Sequence, residues 1–169
     1  DISDLFLKQD DKNILLYREL EGKRQTDITN ALNNNLKVKE CVNPEIFIDF
    51  YKKTLLDQEI NVSNKKIEKI RNLINQLLKN NMARYFTTVN SDNQITYATI
   101  FTKYNNKGCY LFGAGNKKIM NRYDSTFCIW SAFKRLSEDG IFQIDMEGVN
   151  SPNRGKFKLG FGGDLKPYF

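Results

Sequence analysis

The feature that most limits how this chain can fold is a change of hydrophobic period near Met82. Before it, Ile67, Ile70, Ile74 and Leu77 recur at helical spacing, and the opposite face is Lys, Arg, Asn and Gln. After it, "RYFTTV", "QITYATIFTKY" and "CYLFGAG" are β-type runs that alternate in side-chain character. Ser91-Asp92-Asn93 and Asn105-Asn106-Lys107-Gly108 separate these runs and read as hairpin connections, so the segment is expected to be an antiparallel meander.

Other elements are read around this frame. "NILLYREL" reads as a strand ended by Glu21-Gly22-Lys23. A short helix follows in "RQTDITNALNNNL", with Thr26 or Asp27 as its cap and Ile28, Ala31 and Leu32 on one face. "KVKECV" reads as a second strand. Asn43-Pro44-Glu45 combines a capping side chain, a first-turn proline and an early acid, which starts a helix running to about Gln58. That helix is expected to bury Ile46, Phe47, Phe50 and Leu55, and another opens near Asn64. After the meander, a helix over residues 125–138, capped by Asp124 or Ser125 and stopped by Gly140, is apolar over much of its circumference and therefore buried. "IFQIDM" reads as a strand, and Gly155–Phe169 as a closing β segment. No repeat, linker or low-complexity tract interrupts the order, which predicts one α+β domain over residues 1–169.

Composition narrows the function. At 169 residues, with 40% hydrophobic and 27% charged residues, the chain can bury one core as an ordinary soluble domain. No apolar run approaches the roughly 20 residues that span a bilayer, and no secretory pattern opens the sequence. A chain opening on Asp1 rather than Met is expected to be a processed, trimmed or excised piece. The net charge of +6 either keeps the protein soluble or attracts polyanions: nucleotide-linked substrates, coenzyme A, RNA or a membrane face. Cys41, Cys109 and Cys128 are odd in number, widely spaced and without a C-x-x-C, which fits the cytosol better than a zinc knuckle or a disulfide scaffold. Histidine is absent, which removes Ser-His and Cys-His catalysis and the commonest metal ligand; no metal is expected.

Chemistry concentrates in "IDMEGVNSPNRGKFKLGFGG". Strand alternation places Ile144 and Met146 on one face and Asp145 and Glu147 on the other, where two acids can hold a base, orient a lysine or meet solvent. Gly148 turns the chain and Ser151-Pro152 stiffens the loop. Arg154, Lys156 and Lys158 then follow beside a glycine-rich turn, either as an anion site or as lysines protecting an edge strand. Gly160, Gly162 and Gly163 are read as backbone brought close to another molecule.

These pieces, taken together, resemble a family. A helix, a glycine, a strand, "DMEGV", a loop and "FKLGFGG" are similar to the end of the Fem-type branch of the GNAT acyltransferase superfamily, which includes the peptidoglycan bridge aminoacyltransferases. "GKRQTDITNALNNNLKVKE", the meander and "RYDSTFCIWSAFKRLSEDG" resemble earlier parts of that family in the same order. The resemblance implies a mostly antiparallel, splayed central sheet flanked by helices, with an acyl donor lying where two central strands part. It implies direct attack of an amine on the acyl carbonyl without an acyl-enzyme, which depends on positioning and charge stabilisation rather than on a histidine. Lys158 is then expected at the donor's carbonyl or phosphate region, with Phe157 and Phe161 shaping the pocket. Glu147, ranked ahead of Asp145, would deprotonate the attacking ammonium or orient Lys158. The acetyl-CoA pyrophosphate turn of ordinary members is not matched by "GAGNKKIMNRYDST", so Lys117, Lys118 and Arg122 are expected to grip phosphate by charge, or else the donor is an aminoacyl-tRNA.

The implied function is acyl transfer from acyl-CoA, or another thioester or ester donor, to an amine of a bacterial cell-envelope glycan precursor, nucleotide- or lipid-linked. The alternative is aminoacyl-tRNA-dependent building of peptidoglycan bridges, and a further one is a non-catalytic nucleotide- or RNA-binding module. The expected location is the cytoplasm, with room for contact at the inner membrane face. Because Fem enzymes carry two GNAT-like halves and the likeness is chiefly to the second, the chain also reads as the C-terminal half of a longer protein.

Overall fold

The computed structural model describes residues 15–167. The change of period is realised at Ala83. Helices α1 (Leu15–Glu19), α2 (Gly22–Asn33), α3 (Glu45–Asp57) and α4 (Asn64–Lys79) precede it, interrupted by strand β1 (Lys37–Cys41). Then come β2 (Ala83–Val89), β3 (Ile95–Tyr104), β4 (Lys107–Gly115), helix α5 (Arg122–Glu138), β5 (Gln143–Asp145) and helix α6 (Pro152–Leu159). The five strands lie in the order β1-β2-β3-β4-β5, antiparallel except for the parallel β4–β5 pair.

Alternation along the strands sends side chains to two cores. Val38, Phe86, Tyr97 and Phe101 pack with α2, α5 and the chain after α6; Trp130, Phe127 and Leu136 of α5 are the large buried groups there. Tyr85, Ala98, Ile100 and Ala114 pack on the other face against Phe47, Ile48 and Phe50 of α3 and Ile67 and Ile74 of α4. Burying each such large side chain contributes about 1.5–3 kcal/mol, so both helical layers are held by the sheet between them.

Local signals set the helix ends. The Asn43 side chain accepts from the Glu45 N–H at 3.0 Å, and the Ser63 hydroxyl accepts from the Lys66 N–H at 3.3 Å, which starts α3 and α4 where the sequence places them. Helix α5 starts three residues earlier than expected. Asn121 is its cap, and the Asp124 carboxylate reaches back to accept the Asn121 N–H at 3.0 Å, so Asp124 is the third residue of a capping box and not the cap itself. Gly140, at φ 79°, ends α5: the Gly140 N–H donates to Ser137 and the Ile141 N–H to Leu136, the paired closure that needs a left-handed residue.

Several sequence readings are corrected. Residues 15–19 are a helical turn and not a strand, and Asn13 and Ile14 lie outside the described residues. The cap of α2 is Glu21, with Thr26 and Asp27 inside the helix. Leu32 and Ile46 are each 38% exposed, whereas Ile28, Ala31, Phe47 and Phe50 are buried as expected. Strand β5 is only Gln143–Asp145, so Asp145 is strand but Glu147, at φ 65°, is not. The largest correction is the closing segment. Ser151 and Pro152 begin α6, with proline in its first turn, and "KFKL" is helical despite its two-residue alternation.

Across one end of the sheet, Asp139 accepts from Arg84 at 2.8 Å and Lys103 at 3.1 Å, and pairs with Arg135 at 3.3 Å. Glu40 binds Arg84 at 2.9 Å and Arg135 at 3.3 Å, which ties β1, β2 and β3 to the end of α5.

Candidate active site

The site begins with a parting of strands. Parallel pairing of β4 and β5 covers Lys107–Cys109 and Gln143–Asp145 only. Among the described residues, β4 from Tyr110 to Gly115 is paired with β3 alone, and its other edge is open. Ile100 pairs with Phe112 and Phe101 with Tyr110, leaving Leu111 as the extra residue of a bulge where the strands part. An open edge carries unpaired backbone N–H and C=O groups, which an extended ligand arm can use as a strand would.

The segment that leaves β5 borders this edge. The Glu147 N–H donates to the Asp145 carboxylate at 2.7 Å, and the Cys109 thiol donates to the Glu147 carboxylate at 2.9 Å. Burial, reinforced by the hydrogen bond and the charge of Glu147, pushes the Cys109 thiol up to about 12. The thiol therefore stays protonated at neutral pH and serves as a donor. The Lys158 ammonium donates to the Gly148 carbonyl at 3.1 Å and lies 5.6 Å from the centroid of the Tyr110 ring. Helix α6 thus brings Lys158 over β4, and the chain brings Glu147, Asp145 and Cys109 beside it. Arg154, also from α6, reaches Gln58 beyond the end of α3 at 3.5 Å.

The remaining expected site residues fall into two groups. Phe157 and Phe161 stack edge to face with centroids 5.3 Å apart, and the Arg24 guanidinium lies 4.4 Å from the Phe157 centroid. Phe161 is buried and Phe157 half-buried, so they form the seam between α6 and α2. Lys117 pairs with Asp57 at 3.0 Å, and Arg122 with Asp27 at 3.2 Å. Lys118 is exposed, and its N–H donates to the Asn116 side chain at 3.2 Å. The Asp124 carboxylate, itself buried, already occupies the start of α5. Lys117 and Lys118 therefore sit on the loop after β4 and Arg122 at the first residue of α5, whereas Lys158, Glu147 and Asp145 gather where β4 and β5 part.

The glycines of "GFGG" have a different task from the expected one. A Cβ at Gly160 would lie 2.8 Å from the Glu21 carboxylate and 2.9 Å from Arg24 Nε, and the Glu21 N–H donates to the Gly160 carbonyl at 2.9 Å. Gly160 and Gly162, the latter against Glu19, seat the end of α6 on the protein's own α1 and the start of α2, while Gly163 has no such neighbour.

Two features of the site are unexpected from the sequence. Tyr97 and Tyr110 share a hydrogen bond of 2.9 Å between their hydroxyls beside Gly113. Their positions on neighbouring strands of a meander could have signalled the pair, but the bulge that sets the register leaves no mark in the sequence. The second is a closed network under α6. Asp27 accepts from Arg24 at 3.0 Å, from Thr126 at 3.1 Å and from Arg122.

Comparison with known proteins gives fold and little sequence likeness. No protein-family model matches the chain, and no curated protein matches it. FemX superposes on 92% of this chain with a TM-score of 0.75 and 13% identity, and the chain spans 56% of FemX. A predicted acetyltransferase with acetyl-CoA from Clostridium acetobutylicum has a TM-score of 0.64 and 13% identity, over 79% of this chain and 93% of that one. An aminoglycoside acetyltransferase from an uncultured soil metagenomic sample, in complex with trehalose, has a TM-score of 0.59 and 12% identity, over 82% and 94%. The fold is that of the GNAT-type acetyltransferases: an open, mostly antiparallel five-stranded sheet flanked by helices. Among the described residues no helix is long and apolar enough to cross a membrane, and no cluster of three or more His, Cys, Asp or Glu is suited to a metal ion.

Proposed function

We propose that the protein is an acyltransferase whose acyl donor lies along the open edge of β4, and whose acceptor is an amine of a bacterial cell-envelope glycan precursor, nucleotide- or lipid-linked, met in the cytoplasm. The single observation that carries this reading is the parting of β4 and β5 at a bulge, with Lys158 held over β4 and Glu147 beside it. Lys158 would place a positive charge near the donor carbonyl. Glu147, with Asp145 fixing its backbone, would take the proton from the attacking ammonium. A positioned donor to the developing oxyanion contributes about 3–4 kcal/mol, and alignment of the reactants about 7–11 kcal/mol. We read the chain, which spans 56% of FemX, as one GNAT-like domain and as the C-terminal half of a longer protein.

The donor is acyl-CoA or an aminoacyl-tRNA. The neighbour bearing acetyl-CoA favours the first. The commitment of Lys117 and Arg122 to carboxylates, and of the start of α5 to Asp124, favours the second, since both would have to be released to hold a pyrophosphate. A thermal-shift comparison separates them: acetyl-CoA stabilises the protein under the first, charged tRNA but not acetyl-CoA under the second. If Lys158→Ala and Glu147→Gln both leave turnover unchanged, the assignment of roles fails. Binding of tRNA or nucleotide without any transfer would make the protein a non-catalytic module.

A further inference from the structure

Tyr97 and Tyr110 carry one hydrogen more than they can use between themselves. Each phenol brings one O–H, and their mutual bond of 2.9 Å takes one of the two. No acceptor for the other is present among the described residues. Either hydroxyl can be the donor of the pair; Tyr97 is 6% exposed and Tyr110 half-buried, so an O–H left without an acceptor on either is costly unless a ligand or water receives it. Burial raises the pKa of both phenols, so both retain their hydrogens at neutral pH and remain donors.

Their position gives the spare hydrogen an address. A Cβ built at Gly113 would overlap both hydroxyl oxygens, so the pair presses against the bare Cα of a residue that is itself exposed on the open stretch of β4. The hydroxyls therefore stand over the face of β4 at Gly113, beside the open edge. On one side lies Gly115, closed by Met120, whose sulfur is 2.5 Å from an ideal Cβ there; on the other lies the Tyr110 ring, with Lys158 above it. We propose that the Tyr97–Tyr110 pair is a carbonyl-recognising element, its spare O–H donating to the carbonyl oxygen of the acyl group lying along β4. This rests on the reading of the open edge as the acyl-donor site. The tyrosines would supply a neutral donor where Lys158 supplies charge, and the absence of a side chain at Gly113 is what lets the carbonyl reach them.

The test compares ligands that differ by one carbonyl. Binding to the purified chain is measured for acetyl-CoA against S-ethyl-coenzyme A, and for puromycin against the analogue in which its amide carbonyl is replaced by a methylene. One carbonyl-bearing member is expected to bind about tenfold tighter than its partner, the worth of one such hydrogen bond. Tyr97→Phe with Tyr110→Phe removes only two oxygens and should abolish that preference while leaving the carbonyl-free ligand's affinity and the melting temperature near their original values. Gly113→Ala should displace the pair and lose the same preference. A preference that survives in the double variant overturns the role of the pair and leaves the donor cleft standing. Failure of all four ligands to bind overturns the cleft and the pair together.

Discussion

Two clusters of charge border helix α6, and their partners differ in kind. Beneath α6, Asp27 faces Arg24 and Arg122, opposite charges in direct contact, with the Thr126 hydroxyl closing the set. Asp27 is fully buried and Arg24 only 5% exposed. Over the open edge of β4, by contrast, charge meets neutral groups: the Lys158 ammonium has a carbonyl, the Arg154 guanidinium an amide, and the Glu147 carboxylate a thiol. Asp27, buried and paired on both carboxylate oxygens, resists exchange, although Arg24 Nε has no hydrogen-bond partner among the described residues and Arg122 is largely exposed. A charge held by a neutral dipole is oriented without being neutralised, and keeps most of its attraction for a ligand of opposite sign. The first cluster is held by its own opposite charges, and the second is the one that the proposed function assigns to a ligand.

The sharpest way to break this contrast is Asp27→Ala. It leaves Arg24 buried without its carboxylate, and should cost about 3–5 kcal/mol, read as a fall in denaturant midpoint. Lys158→Ala is its counterpart. Transfer should drop by about 10²–10³-fold, roughly 3–4 kcal/mol in the barrier, while stability stays within about 0.5 kcal/mol, as for an ordinary surface change. Equal losses of stability from both variants would erase the distinction. Gly160→Ala probes the seam between the clusters. Its Cβ would push on the Arg24 guanidinium, and a loss of about 1–3 kcal/mol in thermal unfolding is expected.

The smallest effect lies at the far end of the sheet, where charges are again mutually paired. Burial alone would raise the Asp139 carboxyl, but hydrogen bonds from Lys103 and Arg84 pull it below its ordinary value. A carboxylate whose pKa is lowered in the folded state stabilises the fold above its unfolded pKa, about pH 4. That contribution disappears as pH falls through the folded value. Melting temperatures taken from pH 5 to pH 3 should therefore fall more steeply for the native chain than for Asp139→Asn. Parallel curves would remove Asp139 from the account of acid stability.

The sequence discloses those parts of the fold whose period is sustained. Helix α4 and the meander run for whole turns and repeats, and their ends are marked by Ser63 and the Asn-rich hairpins. Helices α1 and α6 are short, and a few residues cannot distinguish a two-residue alternation from one helical turn. In "KFKL" the alternation is an accident of composition, and Ser151-Pro152, read as a stiff loop, is the helix start. At the site, Lys158, Glu147 and Asp145 are legible as charges clustered in sequence. The partners of Lys117 and Arg122 are not, because Asp57 and Asp27 are supplied by distant helices. The tyrosine pair depends on a bulge at Leu111 that only the paired strands define.

The seating of Gly160 on Glu21 joins the last described helix to the first two, at a sequence separation that spans nearly all of the described chain. Contacts so remote are slow to form, because a long loop must close before they yield any stabilisation. During synthesis the sheet and α5 emerge with β4 bare on that side, and the lysine arrives only with the final docking. A chain cut short before Ser151 would keep most of its core but would lack α6 and the lysine it holds over β4.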